Sequence, residues 1–126
     1  MILEKMNHCG NAPKMERVID LTIAFAKKDI DFIYSNVSKD FIWGIVGRNN
    51  KTTLNELAQE FSNISTITKL TIDNALSHGK EAMCEGTVTF EGDKLFYFCN
   101  VVKYTSTAKN AMVKEAHTYY VNSSLD

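Results

Sequence analysis

Asn100 is the residue whose type and surroundings best suit chemistry. It stands in an apolar run with Phe98, Val101 and Val102, and an amide donates hydrogen bonds at any pH without a shifted pKa. A buried amide needs partners, so Asn100 serves either a neighbouring protein group or the oxygen of a ligand. Glu85 is the second candidate. In an apolar pocket its pKa would rise and it could act as a general base, with Asn100 orienting a carbonyl oxygen while Glu85 moves a proton; on the open side of a strand it is a solvated carboxylate. Trp43, Phe61, Phe98 and Tyr120 either fill a core or form pocket walls, the tyrosine hydroxyl adding a polar handle. Val102 and Thr118 complete the candidate pocket. His117 and Tyr119 alternate with Ala116, Thr118 and Tyr120 and are expected to face outward, toward solvent or a partner subunit.

Other chemistries find less support. His8, His78 and His117 are far apart in the sequence, no C-x-x-C occurs, and His8-Cys9 is half a metal site at best, so neither metal nor cofactor is expected. Cys9, Cys84 and Cys99 are an odd number at unrelated spacings and read as reduced thiols, although Cys84 and Cys99 could lie near each other across a hairpin. The net charge is −1, with Lys and Arg scattered, so there is no basic face for nucleic acid or an anionic membrane. No apolar run approaches the ~20 residues of a membrane span. An acid at position 4 and the lack of an apolar stretch near Met1 argue against an export signal, and the expected setting is cytoplasmic. At 126 residues, 44% hydrophobic and 23% charged, the chain is expected to be a single domain over 1–126 with a core of its own.

The elements that must position these residues are legible in outline. Residues 1–10 show no clear period and read as a lead-in. Asn11 and Pro13 mark a helix start, and Met15, Val18, Ile19, Thr22, Phe25 and Ala26 form its apolar stripe, widened by Leu21 and Ile23. Asp29 caps a second helix over 30–36. Residues 41–46 read as a buried strand, and Thr53-Leu-Asn-Glu56 is a capping box opening a helix with Leu54, Leu57, Ala58 and Phe61 inward. Residues 64–76 return to strand character. Three long strands follow, over 79–91, 94–104 and 112–121, rich in Val, Thr, Phe and Tyr and free of proline. Gly92-Asp93 can close a two-residue type II′ turn, which sets Glu85 opposite Asn100; a bulge would shift the register by one and bring Gly86, Val88 and Phe90 onto the face of Asn100.

This order, with Phe25-Ala-Lys-Lys-Asp-Ile-Asp-Phe-Ile33 between the first two helices, Asp40-Phe-Ile-Trp43 on the first strand and the runs over 81–91, 98–104 and 113–120, resembles the nuclear transport factor 2-like superfamily, in its SnoaL-like and ketosteroid-isomerase-like branch. The resemblance implies an α+β cone, a curved antiparallel sheet wrapped around the N-terminal helices over a pocket, and frequently a homodimer through the outer sheet face. Carried over, the isomerase's tyrosine falls on Leu21, its carboxylate base on Ile45 and its protonated aspartate on Asn100. Two aliphatic replacements remove that mechanism, although the pocket can remain. Two expectations of different class follow. One is a protein that binds a small apolar ligand in the cone. The other is a cofactor-independent isomerase, cyclase or dehydratase acting on an apolar carbonyl compound.

Overall fold

A computed structural model describes residues 1–6 and 12–124. The proposed cap Asn11 and the His8-Cys9 pair lie outside the described residues.

Seven strands form one curved, unclosed sheet in the order β1-β4-β5-β6-β7-β2-β3, with three helices beside it. The strands are β1 (Ile2–Lys5), β2 (Val37–Ile45), β3 (Thr52–Thr53), β4 (Ile67–His78), β5 (Glu81–Phe90), β6 (Lys94–Tyr104) and β7 (Val113–Asn122), and the helices are α1 (Pro13–Lys27), α2 (Ile30–Asn36) and α3 (Leu57–Asn63). The expected order of helices and strands is therefore present, with two additions. Residues 2–5 are a strand rather than a lead-in, paired in parallel with Lys69 to Ile72 of β4. A two-residue strand, β3, joins β2 just before the capping-box segment. In that segment Glu56 accepts from both the backbone N–H and the hydroxyl of Thr53 at 3.0 and 2.9 Å. The segment opens as a 3₁₀ turn before α3 begins, and Ala58, expected inward, is exposed.

Helix α1 lies against β4 and β5 and supplies Val18, Ile19, Leu21, Ala24 and Ala26 to the core. Proline at its first turn costs nothing, because that N–H has no partner inside the helix. The start of the helix is fixed at the narrow end of the cone. Lys14 donates from Nζ to the carbonyls of Gly79 and Ser106 at 2.9 and 3.1 Å, and the buried Tyr104 hydroxyl donates to the Lys14 carbonyl at 2.9 Å. The other end stops at Lys28, whose N–H caps the carbonyls of Ala24 and Phe25 in a left-handed conformation, φ 59.

The β5–β6 register corrects the simple hairpin. Phe90 pairs with Lys94, three residues lie outside the ladder, and Gly92 and Asp93 both have positive φ, 82 and 60, so the turn is not type II′. Cys84 thus sits opposite Asn100, and Glu85 opposite Cys99. Ala82, Cys84, Gly86 and Val88 turn inward toward α1, while Met83, Glu85 and Thr87 take the outer face. Cys84 and Cys99 are free thiols on opposite faces of the sheet, so their proximity along the hairpin does not bring the sulfurs together. Opposite Gly86, β4 carries a bulge: the pairing shifts between Ile72 and Asn74 and leaves Asp73 over. That bulge brings the Thr71 carbonyl into the space a side chain on residue 86 would occupy.

Candidate functional site

Between α1, α3 and the concave sheet face lies an inner chamber of about 50 Å³. A water needs ~10–15 Å³ by this measure, so the chamber holds a few waters or a small apolar group. Its walls are Phe25 and Ala26 from α1, Phe61 from α3, Trp43 from β2, Leu70 from β4, Val88 from β5 and Phe98 from β6. Phe25 organises the aromatic side, meeting Trp43 edge-on at 5.0 Å and Phe61 at 5.6 Å between ring centroids. Edge-to-face contacts suit the ring quadrupoles and hold the wall in place without a polar group.

The polar part of the chamber is a chain of hydrogen bonds with one direction as far as Thr22. Trp43 Nε1 can only donate, and does so to Thr118 Oγ1 at 2.9 Å. Thr118 then donates to Asn100 Oδ1 at 3.2 Å, Asn100 Nδ2 donates to Thr22 Oγ1 at 2.9 Å, and the Thr22 hydroxyl lies 3.0 Å from Cys84 Sγ. In that last contact either the Thr22 hydroxyl or the Cys84 thiol can donate. Cys84 closes the chain toward the Val18 carbonyl, 4.0 Å away. Burial raises the Cys84 thiol to about 12 despite the Thr22 hydrogen bond, which keeps the S–H proton in place and the sulfur unreactive. Asn100 is 5% exposed and uses one of its two amide protons here; the other has no protein partner among the described residues.

Outside the chamber, and sharing Ile64, Ser65 and Tyr120 with it, is an open vestibule of about 770 Å³. Ile45, Val46, Phe90 and Phe96 make it apolar, and Arg48, Glu60 and Lys94 sit at its rim. Tyr120 stands at the junction, edge-on to Phe90 and Phe96. Burial pushes its phenol above the ordinary value, partly opposed by Arg48, so it is neutral and able to donate.

Trp43, Phe61, Phe98, Asn100, Thr118 and Tyr120 come together around the chamber. Val102 does not line it: it is fully buried one inward position along β6, toward the narrow end. Glu85 is exposed on the outer face, because the shifted register turns it away with Cys99. The pairing of Asn100 as oxygen ligand with Glu85 as base is therefore not assembled. From α1, Thr22 enters the site rather than Leu21, and Ile45 belongs to the vestibule wall. Thr22, Phe25 and Lys28 were missed as site residues. A hydroxyl in the middle of an apolar helical stripe was the available signal for Thr22. No carboxylate and no imidazole lines the chamber among the described residues.

No family model matches the sequence, and no curated protein is similar to it. Solved structures are similar in fold. An NTF-2 like protein of unknown function from Burkholderia xenovorans LB400 superposes with a TM-score of 0.72 at 14% identity, over 90% of this chain and 87% of that one. An LEH-like epoxide hydrolase from M. tuberculosis gives 0.67 at 14% identity, over 86% and 83%. An NTF2-like protein of unknown function from Cytophaga hutchinsonii ATCC 33406 gives 0.55 at 18% identity, over 85% and 99%. At such identities the likeness is one of fold.

Proposed function

We propose that this chain, which has the nuclear transport factor 2-like fold, is a SnoaL-like binding protein that holds a small apolar molecule in its cone. The observation that carries the reading is the chamber itself: aromatic and aliphatic walls, one buried amide with a spare N–H, and, among the described residues, no carboxylate or imidazole to move a proton. Ligand sites of this kind are apolar with a few convergent polar groups. The apolar body would extend from the vestibule past Tyr120 toward Trp43, with the Asn100 N–H available to an oxygen at its inner end. Trp43 is the only tryptophan, so titration with a neutral apolar compound, octan-1-ol, is expected to change its emission saturably. Ala26→Val, which fills the chamber, should weaken that response. An emission unmoved by octan-1-ol would remove the cone pocket from the account.

The spare Asn100 N–H also favours a second reading, an isomerase, cyclase or dehydratase on a carbonyl compound, since one donor aimed at a developing oxyanion is worth ~10²–10³-fold in rate. Such a reaction still needs a proton carrier, and the ionisable side chains lining the chamber are Lys28 and Tyr120. Hydrolysis of an epoxide, the activity named for the M. tuberculosis neighbour, would need a carboxylate or imidazole to activate water, and none lines the chamber among the described residues. Binding without catalysis requires neither.

The protein pairs with a second copy through the outer face of the sheet in this proposal, in a cytoplasmic setting that leaves Cys84 and Cys99 reduced. Leu76, Tyr97, Tyr119 and Val121 are 59%, 53%, 46% and 47% exposed, and the pairings Cys99 with Tyr119 and Tyr97 with Val121 make part of that surface continuous. A second copy would cover it without new chemistry. Sedimentation at tens of micromolar is expected to give twice the 14.2 kDa chain mass, and Tyr119→Asp to return it to the single mass. A wild-type monomer would overturn the pairing.

A further inference from the structure

We infer that the ligand is an apolar monocarboxylate whose acid group pairs with Lys28, an assignment that rests on the cone pocket proposed above. Lys28 lines the chamber, half-buried, alongside Ile64 and Ser65. Its ammonium donates to the Ile64 carbonyl at 2.5 Å, and that leaves two of its three protons without a protein partner among the described residues. No carboxylate pairs with it among the described residues; Glu60 is held by Arg48, Glu4 by Lys69, and Glu115 by Lys103 and His117. A cation against an apolar cavity is costly unless an anion or several acceptors meet it. The position of Lys28 on the backbone adds to this. It occupies the left-handed site after α1 that glycine takes with least strain, φ 59. A lysine is held there at some conformational cost, with its side chain directed along the chamber wall.

The surrounding charge agrees. The chamber and vestibule together carry three cations, Lys28, Arg48 and Lys94, and one carboxylate, Glu60, which Arg48 already holds at 3.4 Å. Lys94 at the rim has no ion-pair partner among the described residues and would draw an anion toward the mouth, while Lys28 is the cation that reaches the inner chamber. Ammonium–carboxylate hydrogen bonds are shorter and stronger than neutral ones, and in a site partly shielded from water they discriminate by charge. An alcohol of the same chain length would lose that contact and keep the apolar one.

The test uses octanoate and octan-1-ol with the intact chain, reading Trp43 emission at neutral pH and low salt. The wild type is expected to bind octanoate at least ~10-fold more tightly than octan-1-ol. Lys28→Gln, which keeps a donor for the Ile64 carbonyl, should abolish the preference for octanoate over octan-1-ol; Lys28→Arg should retain it. Lys94→Gln should alter it by less than Lys28→Gln. Equal affinities for the two compounds in the wild type, or a preference that survives Lys28→Gln, would overturn the assignment while leaving the apolar pocket standing. Failure of both compounds to move Trp43 would remove the pocket reading and this inference together.

Discussion

Asn100→Leu is expected to destabilise the fold by about 2–4 kcal/mol, although leucine is apolar and close in size to asparagine. The reason is what it leaves behind. Thr118 loses the acceptor of its proton and Thr22 the donor to its oxygen, and both hydroxyls are buried at 7% and 6% exposure. A buried polar group left without its partner costs ~1–3 kcal/mol, whereas removing both partners of a hydrogen bond can be nearly neutral. The double change Thr22→Val, Asn100→Leu, which removes both partners of the amide–hydroxyl bond and leaves Thr118 to accept from Trp43, should therefore recover part of the loss, which denaturant unfolding would measure. A single substitution costing under about 0.5 kcal/mol would mean that the chain of hydrogen bonds carries no net stability. Asn100→Asp gives a distinct signature. With no cation bonded to it, the buried carboxyl would have its pKa raised above the ~3.9 of the unfolded chain. Stability would then be greatest below that value and fall as pH rises through the interval up to the folded-state pKa.

Gly86→Ala should cost more than about 3 kcal/mol, at the upper end for a single added methyl group. The new Cβ would collide with the Thr71 carbonyl, and its next neighbour is the Ile72 Cα. Those are backbone atoms of a paired strand, so relief requires moving β4 and the bulge at Asp73 rather than turning a side chain. Gly44→Ala is the control. There the added atom meets the His117 imidazole and the Lys51 side chain at 3.6 Å, ordinary contact with groups that can shift, and its cost should stay under about 1 kcal/mol. Matched unfolding curves for the two variants test the difference, and a Gly86→Ala protein as stable as Gly44→Ala would rule out the close approach of the strands.

Much of the fold was legible because long, strongly patterned segments announce themselves. The stripe of α1 runs through Val18, Ile19, Thr22 and Ala26, and the proline-free run over 94–104 is a strand with the same bounds in the structure. The hairpin register was not legible. Gly92-Asp93 permits more than one turn, and both faces of β6 carry apolar side chains, with Tyr97, Cys99 and Val101 outside and Phe96, Phe98 and Val102 inside. Hydrophobic alternation therefore could not choose a face. The choice is made by α1, which packs over the narrow side chains of Ala82, Cys84 and Gly86 on β5. Strand β1 was illegible for a related reason: four residues with mostly exposed side chains have no periodic signature and become a strand only through β4, far along the chain. At the site, the aromatic walls and Asn100 could be named from residue type. Glu85 could not be assigned, since one residue of register moves a side chain from one face to the other, and Lys28 reads in sequence as an ordinary basic residue ending a helix.

The strand order has a consequence for how such a sheet behaves in a crowded solution. An unclosed sheet offers two rims of unpaired N–H and C=O groups, and a long flat rim is a template on which further strands can grow. Here the outermost strands are the shortest, four residues in β1 and two in β3. The long strands β4 to β7 are all interior, and the bulge in β4 and the register shift between β2 and β7 twist the sheet near both margins. The rail left to an added strand is therefore chiefly β4 beyond Ile72 and β2 before Ile42, where the outermost strands do not reach, and the broad outer face is the surface on which association would be finite rather than fibrous.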